Sequence, residues 1–263
     1  MFDNLKLGFI GFGNMGSAIA NGLVDFKALN GSQIYACAKN WDKLCKNTEQ
    51  RGINACHTVE EVAKNSDMVI LAVKPYMIEA VTSPIKDILK DKIAISIAAN
   101  FPFDKYEQIL LPGTHHLSTI PNTPVAVGEG IFICENKHSL SSDEVQLFTD
   151  LFSTISIVEF VETHQLSVGG TLAGCGPAFA SMFIEALGDA AVKHGLTRAA
   201  SYRLASQMIV GTGKLQLATG AHPGAMKDAV CSPGGTTIVG VATLERKGFR
   251  SAVIDAIDDI ESK

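Results

Sequence analysis

The sequence predicts an α/β fold in which an N-terminal, doubly wound parallel sheet is followed by an all-α C-terminal domain. In the first half, strand-length apolar runs alternate with helical patterns, and the clearest runs are residues 5–10, 33–38, 68–73 and 93–98. Apolar residues fill these runs almost without interruption, which is typical of parallel strands covered on both faces. After residue 162 the alternating strand pattern is absent. We therefore expect two domains, over residues 1–161 and 162–263.

The C-terminal part is rich in Ala, Leu, Met and Gly and is divided by Gly-Pro and Pro-Gly steps. Proline is favourable just inside a helix start, because its missing N–H has no partner there. These steps predict helices over about 163–173, 177–194, 198–219, 223–230 and 234–247, and a last helix from residue 249. So thin an apolar layer is better buried against a second copy than alone, and we expect a homodimer.

The composition of the 263-residue chain is that of an ordinary globular protein, with 46% hydrophobic and 19% charged residues. The net charge is −5 and there is no run rich in Lys or Arg, so nucleic-acid binding is not expected. The N-terminus lacks the basic and long apolar regions of a signal peptide. The longest apolar runs fall short of the ~20 residues that cross a membrane. We expect a cytoplasmic protein that does not bind membranes.

The six cysteines are scattered without a C-x-x-C pair, which favours free thiols over a zinc site or a disulfide framework. The seven histidines form no H-x-x-E-H or H-x-H arrangement. Adjacent His115 and His116 would point to opposite faces of a strand, so they are not expected to share a metal. No metal site is predicted.

The first strand is followed by a glycine-rich turn that opens the first helix, Gly11-Phe12-Gly13-Asn14-Met15-Gly16. In such a G-x-G-x-x-G turn the first glycine permits the tight turn, the second lets the backbone approach a pyrophosphate, and the third lets helix and strand pack closely. The helix N-terminus attracts the phosphates. The motif alone is weak, but its strand–turn–helix context predicts a Rossmann-like dinucleotide-binding domain.

The end of the second strand, Ala38-Lys39-Asn40, indicates which dinucleotide binds. A cofactor with a free 2′-hydroxyl usually meets an Asp or Glu there, whereas this chain has no acid before Asp42. A carboxylate would repel a 2′-phosphate, and the Lys39 cation beside Asn40 would accept one. We expect NADPH rather than NADH, with Lys39 as a merely solvated lysine the alternative.

Two further loops are candidates for the ribose and nicotinamide, because ligands of open α/β sheets bind outside the carboxyl ends of strands. They follow the third and fourth apolar runs and contain Ala72-Val73-Lys74-Pro75 and Ile97-Ala98-Ala99. A lysine at the end of a strand can act as a general acid, but it can equally bind a phosphate or the carbonyl groups of a loop. We assign Lys74 to cofactor contact.

The most informative late segment is Ser232-Pro233-Gly234-Gly235-Thr236-Thr237. Ser232 suits an N-cap and Pro233 a first helical residue, so a helix is expected to begin here. The glycines would leave first-turn N–H groups uncovered and the threonines add hydroxyls, which makes a neutral cup for a carboxylate. A well-capped, tightly packed helix explains the same residues equally well, and the residues alone leave both interpretations open.

Several segments along nearly the whole chain resemble pyrroline-5-carboxylate reductases. Residues 230–245, which include the cup, are similar to the signature of that family. The other segments are residues 10–16, 72–75, 121–124, 174–178 and 247–250. Five positions depart from the common pattern of the family: Asn100, where Gly is usual, and Ile120, Cys175, Phe179 and Ala229.

The resemblance implies a Rossmann domain followed by a helical domain that forms an intertwined dimer, often assembled into decamers. It also implies that Ser232, Gly235, Thr236 and Thr237 hold the substrate carboxylate and ring nitrogen, with the Thr237 hydroxyl nearest the nitrogen. The implied reaction moves a hydride from NADPH to the C=N carbon of 1-pyrroline-5-carboxylate and gives L-proline, the last step of proline biosynthesis.

Two other functions are compatible with a glycine-rich N-terminal domain. A β-hydroxyacid dehydrogenase is expected to place a lysine on the first long C-terminal helix, but residues 176–192 contain none. A non-catalytic NADPH-binding regulator would keep the glycines but has no need of the cup at residues 232–237. Both are less well supported than the imine reductase.

Overall fold

The computed structural model of the protein describes residues 2–263. It divides into two compact units, of which the first ends at Gly174 and the second runs from Cys175 to Lys263. The strands are β1 (Leu7–Ile10), β2 (Ile34–Cys37), β3 (Asn54–Ala55), β4 (Met68–Leu71), β5 (Ile93–Ser96), β6 (His115–Pro121), β7 (Gly130–Glu135) and β8 (Ser156–Val161). The helices are α1 (Asn14–Asp25), α2 (Trp41–Glu49), α3 (Val59–Lys64), α4 (Ile78–Thr82), α5 (Lys86–Leu89), α6 (Phe103–Ile109), α7 (Ser142–Phe152), α8 (Leu166–Lys193), α9 (Arg198–Thr219), α10 (Pro223–Ala229), α11 (Thr236–Arg246) and α12 (Phe249–Glu261).

The strands of residues 2–263 form one sheet in the order β3-β2-β1-β4-β5-β6-β7-β8. Neighbouring strands are parallel except for the antiparallel pair β6 and β7. The chain leaves β1 to one side of the sheet and returns to its other side with β4, which is the topological switch point of a doubly wound fold. The predicted fold class is confirmed, and the antiparallel pair is an addition that the sequence did not predict.

Both faces of the sheet are buried, which explains the uninterrupted apolar runs. On β1, Leu7 and Phe9 pack into one hydrophobic cluster, whereas Ile10 packs into a second cluster. On β4, Met68 and Ile70 belong to the first cluster, and Val69 and Leu71 to the second. Because successive side chains of a strand alternate between faces, a strand between two cores needs apolar residues at every position.

Strands β6, β7 and β8 were not predicted. On β6 the reason is that the strand buries polar residues in place of apolar ones. Ser118 and Thr119 on β6 are at most 3% exposed. Their hydroxyl groups donate to the carbonyl oxygens of Phe101 and Ser96, at 3.0 and 2.8 Å. Such bonds satisfy the buried hydroxyls, and they hide the strand from a search for apolar runs.

The prediction of separate helices over 163–173 and 177–194 was wrong, because α8 runs through Pro177 without interruption. Proline lacks the N–H that would bond to the carbonyl four residues earlier, here that of Ala173. The amide Nδ2 of Asn122 donates to that carbonyl oxygen at 3.1 Å, and the Asn122 Oδ1 accepts from the Ile131 N–H at 2.8 Å. A side chain from the loop after β6 thus replaces the bond that proline removes, and the helix continues.

The second unit has few buried side chains of its own. Between Cys175 and Lys263 the buried residues are Gly188 on α8 and Ser201 and Ala205 on α9. Large apolar side chains stand exposed along its helices instead, among them Met182, Leu204, Met208, Leu215, Leu217, Val239 and Ile254. Exposed apolar surface of this extent marks an interaction face.

We predict that Asn122→Ala lowers the free energy of unfolding by about 3 kcal/mol, because it leaves a buried carbonyl and a partly buried N–H without partners. Asn136→Ala is the matched control, since the Asn136 amide donates to Glu162 in an exposed pair and its loss should cost less than about 0.5 kcal/mol. Urea unfolding at fixed protein concentration measures both. Equal small losses would show that Asn122 does not support α8.

Candidate active site

The glycine-rich turn after β1 packs its backbone too closely for side chains at two positions. Gly11 has φ +98°, and a Cβ there would lie 2.5 Å from the carbonyl oxygen of Ala72. At Gly16 a Cβ would lie 2.7 Å from the carbonyl oxygen of Gly11. Gly13 borders open space and is the N-cap of α1 without a side-chain cap. The first turn of α1 therefore has N–H groups available to an anion.

The non-glycine members of this turn differ in exposure. Asn14 is exposed and Met15 is half-buried. Phe12 is buried, and its ring lies edge-on to that of Phe9 with the ring centroids 5.9 Å apart. Only the backbone of Phe12 is thus available to a ligand. Behind the turn, the Cys37 carbonyl accepts the Gly11 N–H at 3.0 Å, and burial raises the pKa of the Cys37 thiol to about 11.

The sheet register brings the predicted cofactor loops to one edge. Ile10 pairs with Cys37 on one side and with Leu71 on the other, and Leu71 pairs with Ser96. These residues end β1, β2, β4 and β5, so the loops that follow lie side by side at the carboxyl edge of the sheet. The edge contains the switch point between β1 and β4, where such folds bind dinucleotides.

The loop after β2 carries positive charge and no acid before the second residue of α2. Lys39 is exposed, and the first acidic residue is Asp42 in the first turn of α2. Asn40 caps that helix, because its Oδ1 accepts the Lys43 N–H at 2.9 Å. This cap was not expected; it uses the carbonyl end of the Asn40 side-chain amide and leaves the NH₂ end available.

The two other loops are anchored to neighbouring strands. The Ala72 N–H donates to the Ile10 carbonyl at 2.8 Å, and the Ile97 N–H donates to the Leu71 carbonyl at 3.2 Å. Lys74 is exposed and precedes a short 3₁₀ turn, Pro75–Met77. Ala98 is buried, whereas Ala99 is exposed. Of the predicted contacts in these loops, Lys74 and Ala99 are thus the most accessible.

In the second unit, the segment before α11 forms a turn, and not the first turn of a helix. The predicted N-cap at Ser232 was wrong: α11 begins at Thr236, and Gly235 is its N-cap. The Gly235 N–H donates to the Ser232 carbonyl at 3.0 Å, and Gly234 has φ +69°. Proline followed by a left-handed glycine is typical of a type II turn, and this turn delays the helix by three residues.

The start of α11 is nevertheless open in the way that an anion site requires. Gly235 provides no side-chain cap, and the first turn of the helix has no acidic residue. A Cβ at Gly235 would lie 2.5 Å from the Ser232 Oγ and 3.1 Å from the Ser232 carbonyl oxygen, so a side chain there would displace the Ser232 hydroxyl. Thr236 and Thr237 are exposed in the first turn. Uncovered N–H groups and two hydroxyls thus stand together without a charged side chain among them.

His115 and His116 point to opposite faces of β6, as expected for neighbours on a strand. The His115 Nδ1 lies 2.6 Å from a Glu144 carboxylate oxygen, and the His116 Nε2 lies 2.8 Å from one of Glu107. Within residues 2–263, no three His, Cys, Asp or Glu side chains are placed to hold a metal ion. Each histidine therefore pairs with its own carboxylate and not with a shared ion.

His116 is 2% exposed, and its Nδ1 has no hydrogen-bond partner among the described residues. Burial lowers the pKa of His116 below its usual value, against the opposing effect of Glu107. The unfolded chain therefore binds this proton at a higher pH than the folded chain. The contribution of His116 to the free energy of unfolding is thus fully present above about pH 6.5 and is lost as the pH falls below that value.

We predict that His116→Gln makes the free energy of unfolding less dependent on pH between 7.5 and 5 than it is in the wild type. His164→Gln, at an exposed position, is the control and should keep the wild-type dependence. Urea unfolding across this pH range measures the three proteins. Identical pH profiles would contradict a buried neutral imidazole at position 116.

A glycine turn at the switch point of a parallel sheet, followed by a helical unit, places the chain among dinucleotide-dependent oxidoreductases. Two family models agree with this class. The model described as "NADP oxidoreductase coenzyme F420-dependent" matches residues 6–100, and the one described as "Pyrroline-5-carboxylate reductase dimerisation" matches residues 163–263.

Curated relatives and solved structures narrow the class to one family. The chain is 44% identical to the pyrroline-5-carboxylate reductase of Treponema pallidum over 96% of this chain and 97% of the relative, and 39% identical to that of Escherichia coli over 96% and 94%. It is similar to the Plasmodium falciparum pyrroline carboxylate reductase crystallised with NADP bound, with 31% identity, a TM-score of 0.86 and coverage of 98% and 96%. The chain belongs to the pyrroline-5-carboxylate reductase family.

These matches confirm the family and the reductase class predicted from the sequence, with NADP as a cofactor of the family. They also show that the C-terminal helices are the dimerisation region of the family. Neither curated relative is a hydroxyacid dehydrogenase or a regulator. One feature was not expected: the stretch Thr163–Lys193 is long and apolar enough to cross a membrane, by length and composition alone.

Proposed function

We propose that this protein reduces the C=N bond of 1-pyrroline-5-carboxylate with NADPH and releases L-proline. The observation that carries the proposal is the uncapped first turn of α11, behind Ser232-Pro233-Gly234-Gly235, inside the region that matches the dimerisation model. It offers a small carboxylate a set of N–H donors and two hydroxyls. The choice of imine is supported by the similarity to reductases named for this substrate, which are 44% and 39% identical over 96% of this chain.

The cofactor is proposed to lie along the carboxyl edge of the sheet in the first unit. Its pyrophosphate would bind the N–H groups of the turn at residues 11–16 and of α1. The 2′-phosphate would lie by residues 38–40, and the nicotinamide half by residues 72–75 and 97–99. The register that aligns β1, β2, β4 and β5 supports this placement.

The substrate is proposed to bind through Ser232, Gly234, Gly235, Thr236 and Thr237. The N–H groups at the start of α11 would hold the carboxylate, and the Thr237 hydroxyl would hydrogen-bond the ring nitrogen. NADPH supplies the hydride when bound, and the protein supplies placement of the imine carbon. A protonated imine is already electrophilic, so the exposed, neutral donors of this turn suffice without a lysine or histidine acid.

The assembly is proposed to be a homodimer through the helices after residue 161, with decamers as a further step. The exposed apolar side chains of the second unit support burial against another copy. Burial against another copy also accounts for the apolar stretch Thr163–Lys193, which lies within the dimerisation match, so we propose no membrane span and a cytoplasmic location. Because the net charge is −5, we propose no nucleic-acid partner. We place the functional boundary at residues 161/162, where β8 ends.

The decisive assay follows NADPH and NADH oxidation on addition of 1-pyrroline-5-carboxylate and identifies L-proline as the product. We expect turnover with NADPH, and none when a hydroxyacid is offered with NADP⁺ in the reverse direction. Turnover of the hydroxyacid but not of the imine would overturn the proposal.

We predict that Thr237→Ala lowers kcat/KM for the imine by about one to three powers of ten and leaves the Kd of NADPH unchanged, because it removes one hydrogen bond to the reacting group. Thr237→Ser should restore most of the activity. Thr243→Ala, on the same helix with its hydroxyl bonded to the Val239 carbonyl, is the control. Steady-state kinetics and NADPH titration measure these effects, and wild-type turnover by Thr237→Ala would remove Thr237 from the mechanism.

We predict that Lys39→Glu raises the KM for NADPH roughly tenfold while that for NADH changes little, because a carboxylate repels the 2′-phosphate. Lys46→Glu, in the last turn of α2, makes the same charge change away from the strand end. Steady-state kinetics with both cofactors give the comparison. If Lys39→Glu affects NADPH and NADH equally, Lys39 does not select the cofactor.

A further inference from the structure

The loop that joins β5 to α6, residues 97–102, lies on the β4–β5 side of the switch point, where the proposed function places the nicotinamide half. The inference below rests on that placement. A cavity of about 140 Å³ borders the loop, and its other walls include Ser118, Ile120, Leu166 and Ser167. Ala98 and Phe101 pack into the second hydrophobic cluster, and hydrogen bonds from four neighbouring elements add to this packing in holding the shape of the loop.

The beginning of the loop is held by a buried pair of hydroxyls. The Tyr106 hydroxyl donates to the Ser96 Oγ at 2.5 Å, and the Ala98 N–H donates to the same oxygen at 3.2 Å. Ser96 and Tyr106 are 2% and 1% exposed. Desolvation raises the pKa of the Tyr106 phenol, which keeps it a donor at neutral pH. One turn of α6 thus sets the backbone direction at Ala98.

The end of the loop is held by a buried carboxylate. Glu135, the last residue of β7, is fully buried; its Oε2 accepts the Phe103 N–H at 2.7 Å, and its Oε1 accepts the Thr163 hydroxyl at 2.7 Å. Phe103 is the first residue of α6, and the N-cap of that helix, Pro102, has no side chain to cap it. Glu135, which lies on a different element, therefore serves as the cap that Pro102 cannot provide for α6.

The middle of the loop is held in a conformation that few residues adopt. Asn100 has φ +59°, and its carbonyl accepts the Lys105 ammonium at 2.8 Å. Asparagine tolerates the left-handed region better than most residues, but glycine does so without cost. Ser118 donates to the Phe101 carbonyl at 3.0 Å. Bonds from β5, α6, β6 and β7 thus fix the backbone at four sites between residues 98 and 103.

We propose that Tyr106 and Glu135 are positioning residues for the hydride transfer: they hold the β5–α6 loop in the shape that receives the nicotinamide end of NADPH. Neither touches the reacting atoms. Tyr106 holds the Ser96 hydroxyl in place, and the Ser96 oxygen in turn accepts the Ala98 N–H. Glu135 accepts the Phe103 N–H directly. A loop released from either residue would bind the cofactor more weakly and orient it less accurately.

The test compares four variants. Tyr106→Phe removes one hydroxyl and keeps the ring. Glu135→Leu removes both acceptors, whereas Glu135→Gln keeps an oxygen for the Phe103 N–H. Thr82→Val is the control, because Thr82 is fully buried on α4 with its hydroxyl bonded to the Ile78 carbonyl. The readouts are the Kd of NADPH by fluorescence titration, kcat and both KM values, and amide hydrogen exchange over residues 97–103.

In Tyr106→Phe and Glu135→Leu we expect faster exchange over residues 97–103, a several-fold rise in the Kd and KM of NADPH, and a roughly tenfold fall in kcat. The KM of the imine should stay within about twofold, and Glu135→Gln should return each value to within about threefold of wild type. A merely structural role would lower the active fraction without changing the Kd of NADPH.

A Kd and KM for NADPH equal to wild type in Tyr106→Phe would overturn the inference, whether or not Glu135→Leu folds. A wild-type protein that binds NADPH but does not reduce the imine would overturn the proposed function instead. In that case the NADPH titration and the hydrogen exchange still decide whether the loop is positioned as we infer.

Discussion

The backbone of Gly11 passes so close to the carbonyl oxygen of Ala72 that an added Cβ would lie 2.5 Å from it. This contact holds the turn after β1 against the end of β4, on either side of the switch point. Gly16 in turn brings α1 down onto Gly11. Once these backbones touch, the N–H groups at the start of α1 and the loops after β4 and β5 face the same edge of the sheet. The geometry of the first unit as a dinucleotide-binding edge follows from this approach.

The two units differ in how they bury apolar side chains and provide hydrogen-bond partners for buried polar ones. In the first, both faces of the sheet are covered, and buried polar side chains such as Asn122 and Glu135 are bonded within the chain. In the second, few side chains are buried and many apolar ones are exposed. Hydrophobic burial is the main favourable term in folding, so the helices of the second unit depend on another molecule for it. The dimerisation match over residues 163–263 agrees with this requirement.

The sequence was a good guide where a residue type has one physical use. The apolar runs of β1, β2, β4 and β5 and the glycines of the first turn predicted the sheet and its edge, because few other structures need them. It failed where a distant side chain changes the local preference. Pro177 should end a helix, but Asn122 satisfies the carbonyl that proline leaves free.

A similar limit explains the errors near α11 and in the sheet. Ser232 and Pro233 favour a helix start as much as a turn, and the left-handed Gly234 decides for the turn. The polar residues of β6 bond to Ser96 and Phe101, partners that lie more than fifteen residues away. No local pattern contains that information, so the buried polar network around the β5–α6 loop could not be predicted from the sequence.

The thiol behind the glycine turn has a consequence for chemical damage. Oxidants and electrophiles attack the thiolate form of cysteine. With a pKa of about 11, Cys37 is ionised in roughly one molecule in ten thousand at pH 7. The Cys37 thiol is therefore a poor target for oxidants, and its backbone carbonyl, which anchors Gly11, does not belong to a reactive residue.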